Sequence, residues 1–339
     1  MKKLLLAIVI LFSIISCENQ DIEFPDYQYT TAYFPYQFPV RTLVLGEYRY
    51  DNTNDRNHKF LISAAMGGVY SNDKDREIEI EVAENLCENV LFPNGDTIRL
   101  MPSEYYSLSS EETVTIPKGE FNGGIEVELA DAFFEDSLAI GRNYVIPVRM
   151  INSSAVDSIL QGNPLISDAD PRVKAQWETI PKNFTMFAVK YINPYHGHYL
   201  HKGVSMVEDN STGETVDTTV YRDKDLVKCE IWKLNTTKIN QVSVSGVVRS
   251  SELPEGNFNM LLTFSDDGKC SVSEVPGSGF DITGSGEFLD DAEEWGNEKR
   301  NAIYFNYEFS DGGYTYSATD TLVVRDRDVT LETYQPSVY

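Results

Sequence analysis

Strict alternation of apolar and charged side chains is the feature that most limits the folds open to this chain. Residues 77–82 read EIEIEV and residues 125–129 read IEVEL, so apolar and acidic side chains point to opposite faces of an extended strand. Strands of this kind bury one face and expose the other, as antiparallel sheets do. Turn signals lie beside such runs, for example Asn94-Gly95. The pattern predicts an all-β fold.

The order of the strand and turn signals divides the chain into two β domains. Short strands with frequent turns over residues 31–155 predict an immunoglobulin-like β-sandwich. Residues 156–182 carry three prolines and predict a linker, with a short capped helix at 155–160. Residues 183–339 carry about eight to ten strand-like runs, and such a meander removes its exposed edges by closing. We expect an antiparallel up-and-down β-barrel there, with a second sandwich as the alternative.

Residues 1–16 have the features of a bacterial signal peptide. A basic start at 1–3 precedes an apolar run at 4–15, which as a helix spans only ~18 Å and is too short for a ~30 Å hydrocarbon core. The run ends in a small residue and Cys17, which resembles a lipobox in which Cys17 carries the lipid. An ordinary signal peptide with a coincidental cysteine is the alternative. Residues 17–30 form a polar spacer, whose acidic residues partly resemble a signal for export to the cell surface.

The charge balance excludes two classes of partner. The chain has 28 Lys+Arg against 53 Asp+Glu, a formal net charge of −25. Nucleic-acid binding needs clustered cations for the phosphates, and electrostatic docking on an anionic membrane needs the same. We therefore expect no nucleic acid, and membrane attachment only through the N-terminal lipid.

The cysteines after Cys17 do not form a complete disulfide framework, because their number is odd. Cys229 and Cys270 lie in two strand-like runs of the same half, so one disulfide between them stays open. Cys87 is expected to be buried and unpaired.

Seven stretches together carry a resemblance to a known family. They are YFPYQ at 33–37, PVRT at 39–42, AMGGVY at 65–70, YYSL at 105–108, YVIPV at 144–148, NPYHG at 193–197 and TLVVRDR at 321–327. The chain resembles two-domain surface lipoproteins of Bacteroidetes found near the porin and substrate-receptor pair of glycan-utilisation loci. The resemblance implies an N-terminal immunoglobulin-like domain, which also occurs fused to endo-β-N-acetylglucosaminidases, and a C-terminal lipocalin-like barrel.

Aromatic side chains are the candidate glycan contacts, because sugar C–H faces pack on flat rings while polar neighbours bind the hydroxyl groups. Trp295 lies in the polar stretch 290–297, where its indole is expected to be exposed. Tyr191, Tyr195 and Tyr199 cluster near the predicted rim of the barrel. For each of these residues the alternative is a packing role within the fold.

Two further motifs bring metal-ligating residue types together. HGHYLH at 196–201 holds three histidines, but an extended strand sends His201 to the face opposite His196 and His198. DNTNDRN at 51–57 begins like a calcium loop, yet the glycine at position six and the glutamate at position twelve are missing. Hairpin packing for the histidines and a solvated loop at 51–57 are the favoured interpretations. We expect no metal and no cofactor.

Catalytic motifs are missing from the sequence. It contains no Gly-x-Ser-x-Gly elbow, no His-Glu-x-x-His and no phosphate-binding glycine-rich loop. A catalytic (β/α)₈ module of ~250 residues does not fit after the linker. We therefore expect a non-catalytic, lipid-anchored outer-membrane protein that faces the cell exterior, binds glycan and assists its import. The alternatives are an accessory subunit of an import complex that contacts a porin and a substrate-receptor lipoprotein, or a lipocalin-like carrier of a small apolar ligand.

Overall fold

The structure is a computed structural model that describes residues 26–253, 256–277 and 279–339. The predicted signal peptide, Cys17 and most of the spacer therefore lie outside the described residues. Strands form most of the described chain, and its helices are single short turns. None of the helices in these ranges is long and apolar enough to span a membrane.

Strands alternate with turns along both halves of the chain. The elements of the first half are β1 (Thr31–Tyr33), β2 (Pro39–Val44), α1 (Thr53–Arg56), β3 (Lys59–Gly67), β4 (Arg76–Val82), β5 (Val90–Leu91), β6 (Arg99–Leu100), β7 (Tyr106–Leu108), β8 (Thr113–Ile116), β9 (Asn122–Leu129), α2 (Asp131–Glu135), β10 (Tyr144–Asn152), β11 (Ser158–Ile159), β12 (Asn163–Pro164), β13 (Trp177–Thr179) and β14 (Phe184–Ile192). Those of the second half are β15 (Gly197–Asp209), β16 (Glu214–Tyr221), β17 (Glu230–Lys238), β18 (Gln241–Val247), β19 (Asn257–Phe264), β20 (Lys269–Glu274), β21 (Thr283–Trp295), β22 (Glu298–Ser310), β23 (Tyr314–Asp326), β24 (Glu332–Thr333) and β25 (Ser337–Val338). Short 3₁₀ helices cover Glu84–Cys87, Ser103–Tyr105, Ser137–Ile140, Lys174–Gln176 and Leu226–Lys228.

Two sheets pack face to face and form the N-terminal β-sandwich. One pairs in the order β11-β1-β3-β9-β7 and the other in the order β24-β2-β14-β10-β4-β8, with β6 beside β10. The EIEIEV run becomes β4, in which Ile78 and Ile80 are buried and the glutamates between them are exposed. Inward side chains of both sheets form one apolar core. The predicted sandwich is confirmed.

Pro147 lies in β10, which is a central strand of its sheet, although a proline in a strand predicts an edge or a bulge. On one side of β10, Pro147 is paired with Met186 of β14. On the other side β6 pairs with residues 144–145 and β4 pairs from Val148 onwards. Pro147 therefore sits where the partner strand changes, and the missing N–H interrupts neither ladder.

The connection between the domains differs from the sequence prediction in two places. Residues 155–160 form no helix, because Ser158–Ile159 is β11 and pairs in parallel with the free edge of β1. Strand β14, predicted to begin the second domain at 183, instead lies between β2 and β10 in the sandwich sheet. Both segments gain backbone hydrogen bonds from sheet edges that are distant in sequence. The chain leaves the sandwich only after Ile192.

Strands β15 and β17–β23 close into an eight-stranded antiparallel barrel, which confirms the predicted fold of the second domain. β15 closes it by pairing with β23 along one edge. Its other edge pairs with β17 over residues 197–201 and then with β16 over residues 203–209. The barrel is filled by large side chains, among them Trp232, Leu234, Phe258, Met260, Leu262, Phe305 and Tyr316.

After the barrel the chain returns to the sandwich. β24 pairs with β2, and β25 pairs with β5. Between them Tyr334 is 5% exposed, and its hydroxyl donates to the carbonyl oxygen of Met186 at 2.9 Å. The last strands of the chain thus complete the first domain.

The cysteines of the described chain are free thiols, so the disulfide between Cys229 and Cys270 is not formed. Both side chains are buried. Cys87 is half-buried and unpaired, and burial raises the pKa of its thiol to about 12. Burial raises the pKa of the Cys270 thiol to about 12 as well.

Candidate functional site

The single side chain of Arg327 hydrogen-bonds to the sandwich and to the segment that leads into the barrel. Its side chain is buried, and its guanidinium donates to four carbonyl oxygens: Leu45 at 3.0 Å, Glu47 at 2.6 Å, Asn193 at 2.6 Å and His196 at 2.8 Å. The first two acceptors follow β2 of the sandwich, and the other two lie between β14 and β15. Because each buried donor needs an acceptor, these bonds fix the position of one domain against the other.

Asn193 fastens the same segment to the barrel. Its side-chain amide donates to the carbonyl oxygens of Lys238 at 2.9 Å and Gln241 at 2.8 Å. Its backbone N–H donates to the Thr236 hydroxyl at 3.0 Å. Asn193 has no exposed surface, so the segment between β14 and β15 is rigidly held on both sides.

A cleft of about 380 Å³ opens beside this junction and is called here the interdomain cleft. Both domains contribute walls, and most of the lining side chains are polar. They are Thr42, Ile140, Lys190, Ile192, His196, Lys233, Asn235, Thr236, Asp328, Val329, Thr330 and Glu332. Small-molecule sites commonly have volumes of this order and lie preferentially at domain interfaces.

Two ion pairs line the interdomain cleft, one within the sandwich and one within the barrel. Lys190 of β14 lies 2.6 Å from Glu332 of β24, and Lys233 of β17 lies 2.6 Å from Asp328. Burial alone would raise the pKa of Asp328, but the hydrogen bond from Lys233 and its charge lower it on balance. The lining therefore presents fixed cations and fixed carboxylates in equal number.

His196 adds a neutral donor to the cleft. Its Nδ1 accepts the Thr236 backbone N–H at 3.1 Å, which places the ring proton on Nε2. Burial, together with the positive charges of Arg327 and Lys233, lowers the pKa of His196 to about 4. The imidazole is therefore uncharged at neutral pH.

Alternating donors and acceptors suit a polyhydroxylated ligand. Each sugar hydroxyl both donates and accepts a hydrogen bond, so a carboxylate beside an ammonium group can satisfy neighbouring hydroxyls. Ile140, Ile192 and Val329 supply apolar surface for the C–H faces. The lining can therefore hydrogen-bond a polyhydroxylated molecule.

The three predicted tyrosines are close in sequence to residues that line the cleft, but none of the three lines it. Tyr191 is fully buried in the sandwich core, where its hydroxyl donates to the Phe134 carbonyl oxygen at 3.0 Å. Tyr199 is 1% exposed and donates to the carbonyl oxygen of Tyr195 at 2.9 Å. A sugar needs an accessible ring face, so Tyr191 and Tyr199 are corrected from glycan contacts to core residues.

Tyr195 is partly buried, and its ring stacks on Phe264 with the centroids 3.6 Å apart. One face of its ring is thus already covered. The cleft is lined instead by Lys190 and Ile192, which flank Tyr191 in sequence, and by His196, which follows Tyr195.

Trp295 ends β21 and holds the β21–β22 hairpin against the outside of the barrel. Its indole N–H donates to the Val324 carbonyl oxygen at 3.0 Å, and the Arg300 guanidinium lies 4.7 Å from the ring centroid. The ring packs beside Leu200 and Val323. Trp295 is therefore a partly buried packing residue rather than the exposed platform predicted.

The three clustered histidines point to three different places. His196 faces the interdomain cleft, His198 pairs with Asp326 at 2.7 Å, and His201 is buried in the barrel. Among the described residues no group of three or more His, Cys, Asp or Glu side chains is arranged to hold a metal ion.

His201 belongs to a polar cluster inside the barrel, which we call the barrel latch. Its Nε2 lies 3.1 Å from Asp320 Oδ2 and its Nδ1 lies 3.3 Å from Glu230 Oε2. Tyr221 donates to Asp320 Oδ1 at 2.5 Å. A side chain at Gly203 would place its Cβ 2.1 Å from Asp320 Oδ1, so only glycine leaves room for the cluster.

The barrel latch joins the strands that meet where β15 changes partner. His201 lies on β15, Asp320 on β23, Glu230 on β17 and Tyr221 on β16. The side chains of His201 and Asp320 have no exposed surface. The latch therefore holds the closure of the barrel and is not open to a ligand.

The stretch 51–57 packs against the end of β2 and does not form a calcium loop. Asp55 of α1 is buried, pairs with Arg41 and accepts the Val44 backbone N–H at 2.9 Å. Asn52 donates to the carbonyl oxygens of Val44 and Gly46, both at 2.8 Å. The Asp55 carboxylate oxygens are therefore already bonded to residues of β2.

Sequence reasoning missed the charged residues of the cleft. Lys233 alternates with buried side chains in β17 and so has the pattern of an ordinary solvent-facing residue. The TLVVRDR motif at 321–327, used above only for the family resemblance, ends in Arg327 and is followed by Asp328.

Comparison with known proteins gives two family matches. Residues 27–157 match a family model described as an N-terminal domain, and residues 194–328 match that of a domain of unknown function, DUF5627. No curated protein matches the chain.

Several solved structures from Bacteroides ovatus are similar. A protein of unknown function is 34% identical with a TM-score of 0.85, and the alignment covers 92% of this chain and 99% of that one. A multidomain protein including DUF1735 is 13% identical with a TM-score of 0.44, covering 90% and 100% of the two chains. A protein provisionally described as carbohydrate-binding is 12% identical with a TM-score of 0.27, covering 89% and 97%. The last two likenesses carry no argument about function.

Proposed function

The chain belongs to the family of the 34% identical Bacteroides ovatus protein of unknown function, and on this premise we propose that it is a non-catalytic surface lipoprotein that binds glycan in the interdomain cleft. The observation that carries the proposal is the cleft itself. Its two ion pairs and the neutral His196 offer matched donors and acceptors at a rigid domain junction. The family resemblance in sequence supports a role in glycan capture and import.

The equal number of cations and carboxylates favours an uncharged ligand. A uronate or sulfated sugar would add a negative charge beside Asp328 and Glu332, in a chain whose net charge is already −25. Like charges at this range repel one another. Neutral hexoses and pentoses avoid that cost.

A carrier of small apolar ligands is less well supported. Such a carrier needs an open barrel interior. Here the interior is filled, for example by Phe258, Met260 and Leu262, which are each at most 1% exposed.

Isothermal titration with the mature chain tests the proposal. The panel consists of maltose, cellobiose, xylobiose, mannobiose and chitobiose, with glucuronic acid and N-acetylglucosamine 6-sulfate as charged comparisons. We expect at least one neutral disaccharide to bind and Lys233→Ala to weaken its affinity about tenfold, the loss of one charge-assisted hydrogen bond. Lys238→Ala is the matched control, since this exposed lysine lies on the same strand outside the cleft. Absence of binding across the panel would overturn the proposal.

Lipidation at Cys17 is the second part of the proposal and rests on the lipobox-like sequence. Growth with radiolabelled palmitate should label the wild-type protein, and Cys17→Ser should abolish the label. Protease added to whole cells should degrade the protein if it faces the exterior. A labelled but protected protein would place it on the inner leaflet instead.

An accessory-subunit role is a second candidate function, favoured by one exposed apolar feature. The β12–β13 ribbon leaves Leu165 62% exposed and Ile166 52% exposed. Purification of the tagged, full-length protein from its native outer membrane, without sugar, should then recover a porin and a substrate receptor. The double substitution Leu165→Ser/Ile166→Ser should lose both. Recovery of the protein alone would eliminate this role.

A further inference from the structure

A second polar groove lies at the opposite end of the sandwich and is called here the N-terminal groove. Its volume is about 370 Å³, close to that of the interdomain cleft. It is formed where the chain enters β1, between β3 and β4, and after β10. Its lining residues are Asp26, Gln28, Thr30, Val69, Ser71, Asp73, Lys74, Arg76, Ser154, Ala155, Val156 and Asp157.

Buried contacts fix the walls of this groove. The Arg76 side chain is 10% exposed and donates to Asn72 Oδ1 at 3.0 Å, Asp73 Oδ1 at 3.0 Å and the Ala155 carbonyl oxygen at 2.6 Å. Asp157 Oδ2 accepts the backbone N–H and the hydroxyl of Thr30 at 2.7 and 2.8 Å. The groove therefore keeps its shape without a ligand, which lowers the ordering cost of binding one.

Exposed tyrosines adjoin the groove. Tyr27 is 88% exposed and Tyr29 is 54% exposed, and they alternate with the lining residues Asp26, Gln28 and Thr30. Neither tyrosine ring lines the groove, and the interdomain cleft likewise has no Phe, Tyr or Trp among its lining residues. An exposed ring next to a polar wall still offers an apolar face to a ligand that extends beyond the groove.

The two openings are separated by the length of one strand. β10 begins shortly after Ile140, which lines the interdomain cleft, and ends just before Ser154, which lines the N-terminal groove. Its nine residues at ~3.3 Å each span about 30 Å. A disaccharide therefore fills one opening at a time, whereas a polymer can reach both.

We propose that the N-terminal groove is a second saccharide-binding site, and that the two sites together hold one linear neutral polysaccharide along the sandwich. This inference rests on the proposed function, from which it takes the class of ligand, a neutral saccharide. The second binding site is new. Two linked weak sites bind a polymer more tightly than either binds its unit, because the second contact is intramolecular.

Chemical-shift mapping on the isotopically labelled mature chain separates the two sites. The probes are maltose, cellobiose, xylobiose, mannobiose and chitobiose, added singly to saturation. Amide shifts at Asn235 and Thr236 report the interdomain cleft, and shifts at Ser71 and Arg76 report the N-terminal groove. We expect one disaccharide to move both sets.

Each other result is decisive. Shifts in the cleft alone would overturn the second site and leave the proposed function standing. Shifts in the groove alone would support the second site and remove the cleft from the proposed function. Shifts in neither set would overturn both.

Affinity for the polymer tests the coupling of the two sites. The polysaccharide of the disaccharide that binds should bind about 10²-fold more tightly than that disaccharide. Lys74→Ala in the groove should remove most of this gain and leave disaccharide binding in the cleft unchanged. Lys118→Ala, a lysine of a neighbouring turn outside the lining, is the control. An unchanged polymer affinity in Lys74→Ala would contradict a shared ligand.

Discussion

The interiors of the two domains solve the same packing problem in different ways. The sandwich core is formed by apolar and aromatic side chains, and the buried Tyr191 hydroxyl within it donates to a backbone carbonyl oxygen. The barrel core contains His201 and Asp320, whose side chains have no exposed surface. Two facing sheets can meet through apolar side chains alone, whereas this barrel closes on a strand that changes partner halfway. The comparison teaches that buried polar side chains lie where strand pairing has to be specified, at the point where β15 changes partner, and that an apolar core is sufficient where two sheets only pack together.

Breaking the barrel latch should have the largest effect. Asp320→Ala removes the acceptor of the Tyr221 hydroxyl and the carboxyl group that lies 3.1 Å from the buried His201 Nε2, so we expect the free energy of unfolding to fall by about 3–5 kcal/mol. Urea denaturation followed by intrinsic fluorescence measures it. The double substitution His201→Leu/Asp320→Leu replaces both buried polar side chains and should recover most of the loss. A loss below about 1 kcal/mol in Asp320→Ala would mean that the latch does not stabilise closure.

Removing the Arg327 link between the domains should have the next largest effect. Arg327→Met keeps much of the side-chain volume but leaves four carbonyl oxygens without their donor, which we expect to cost about 3 kcal/mol. Calorimetry should then resolve two unfolding transitions, one for each core, whereas we expect a single transition for the wild type. Arg325→Met is the control, because this neighbouring side chain is 43% exposed. A single unshifted transition would show that the domains are coupled elsewhere.

Acid should weaken the junction through His196. Its folded-state pKa of about 4 lies below the ordinary value of 6.5, so between these pH values the unfolded chain takes up a proton that the folded chain refuses. Stability from this residue is complete above about pH 6.5 and is lost as the pH falls towards 4, by roughly 3 kcal/mol. His196→Asn, whose side-chain oxygen can still accept the Thr236 N–H, should lack this component. Denaturation at pH 7.5 and 4.5 compares the two, and parallel losses would exclude His196 as the cause.

An exposed ion pair on the sandwich should matter least. Arg149 lies 3.1 Å from Glu81 on the outer face of β10 and β4, and the Glu81 side chain is 46% exposed. We expect Glu81→Gln to change stability by less than about 1 kcal/mol, since solvent screens the pair. Urea denaturation at low and high salt provides the measurement. A larger effect would remove the contrast between this pair and the buried latch.

Local pattern was sufficient to predict the strands and the two β domains. Alternation such as that of β4 marks one buried face, and Asp-Gly turn signals at 267–268 and 311–312 lie between strands that pair as hairpins, β19 with β20 and β22 with β23. The assignment of β14 to the sandwich was not predictable in this way. Its partners β2 and β10 lie far away in sequence, and an almost wholly buried strand gives no period that identifies a sheet.

The candidate site was predictable only as a region. The tyrosines at 191 and 195 marked the correct segment, but the side chains that line the cleft are their neighbours. Aromatic residues are amphipathic, so a tyrosine in a buried strand with its hydroxyl bonded has the same sequence signature as one on a surface. The ion pairs join residues from separate strands, and one sequence does not reveal such pairs.

The return of the chain to the sandwich has a consequence for how the protein is made. Strands β2 and β5 lack β24 and β25 until residues 332–338 have been synthesised, after the whole barrel. The first domain to leave the ribosome is therefore the last to be completed, and its sheet edges stay open until the C-terminal strands have been made. A chaperone that covers such edges would act on the N-terminal half, and C-terminal truncation would destabilise the domain farthest from it in sequence.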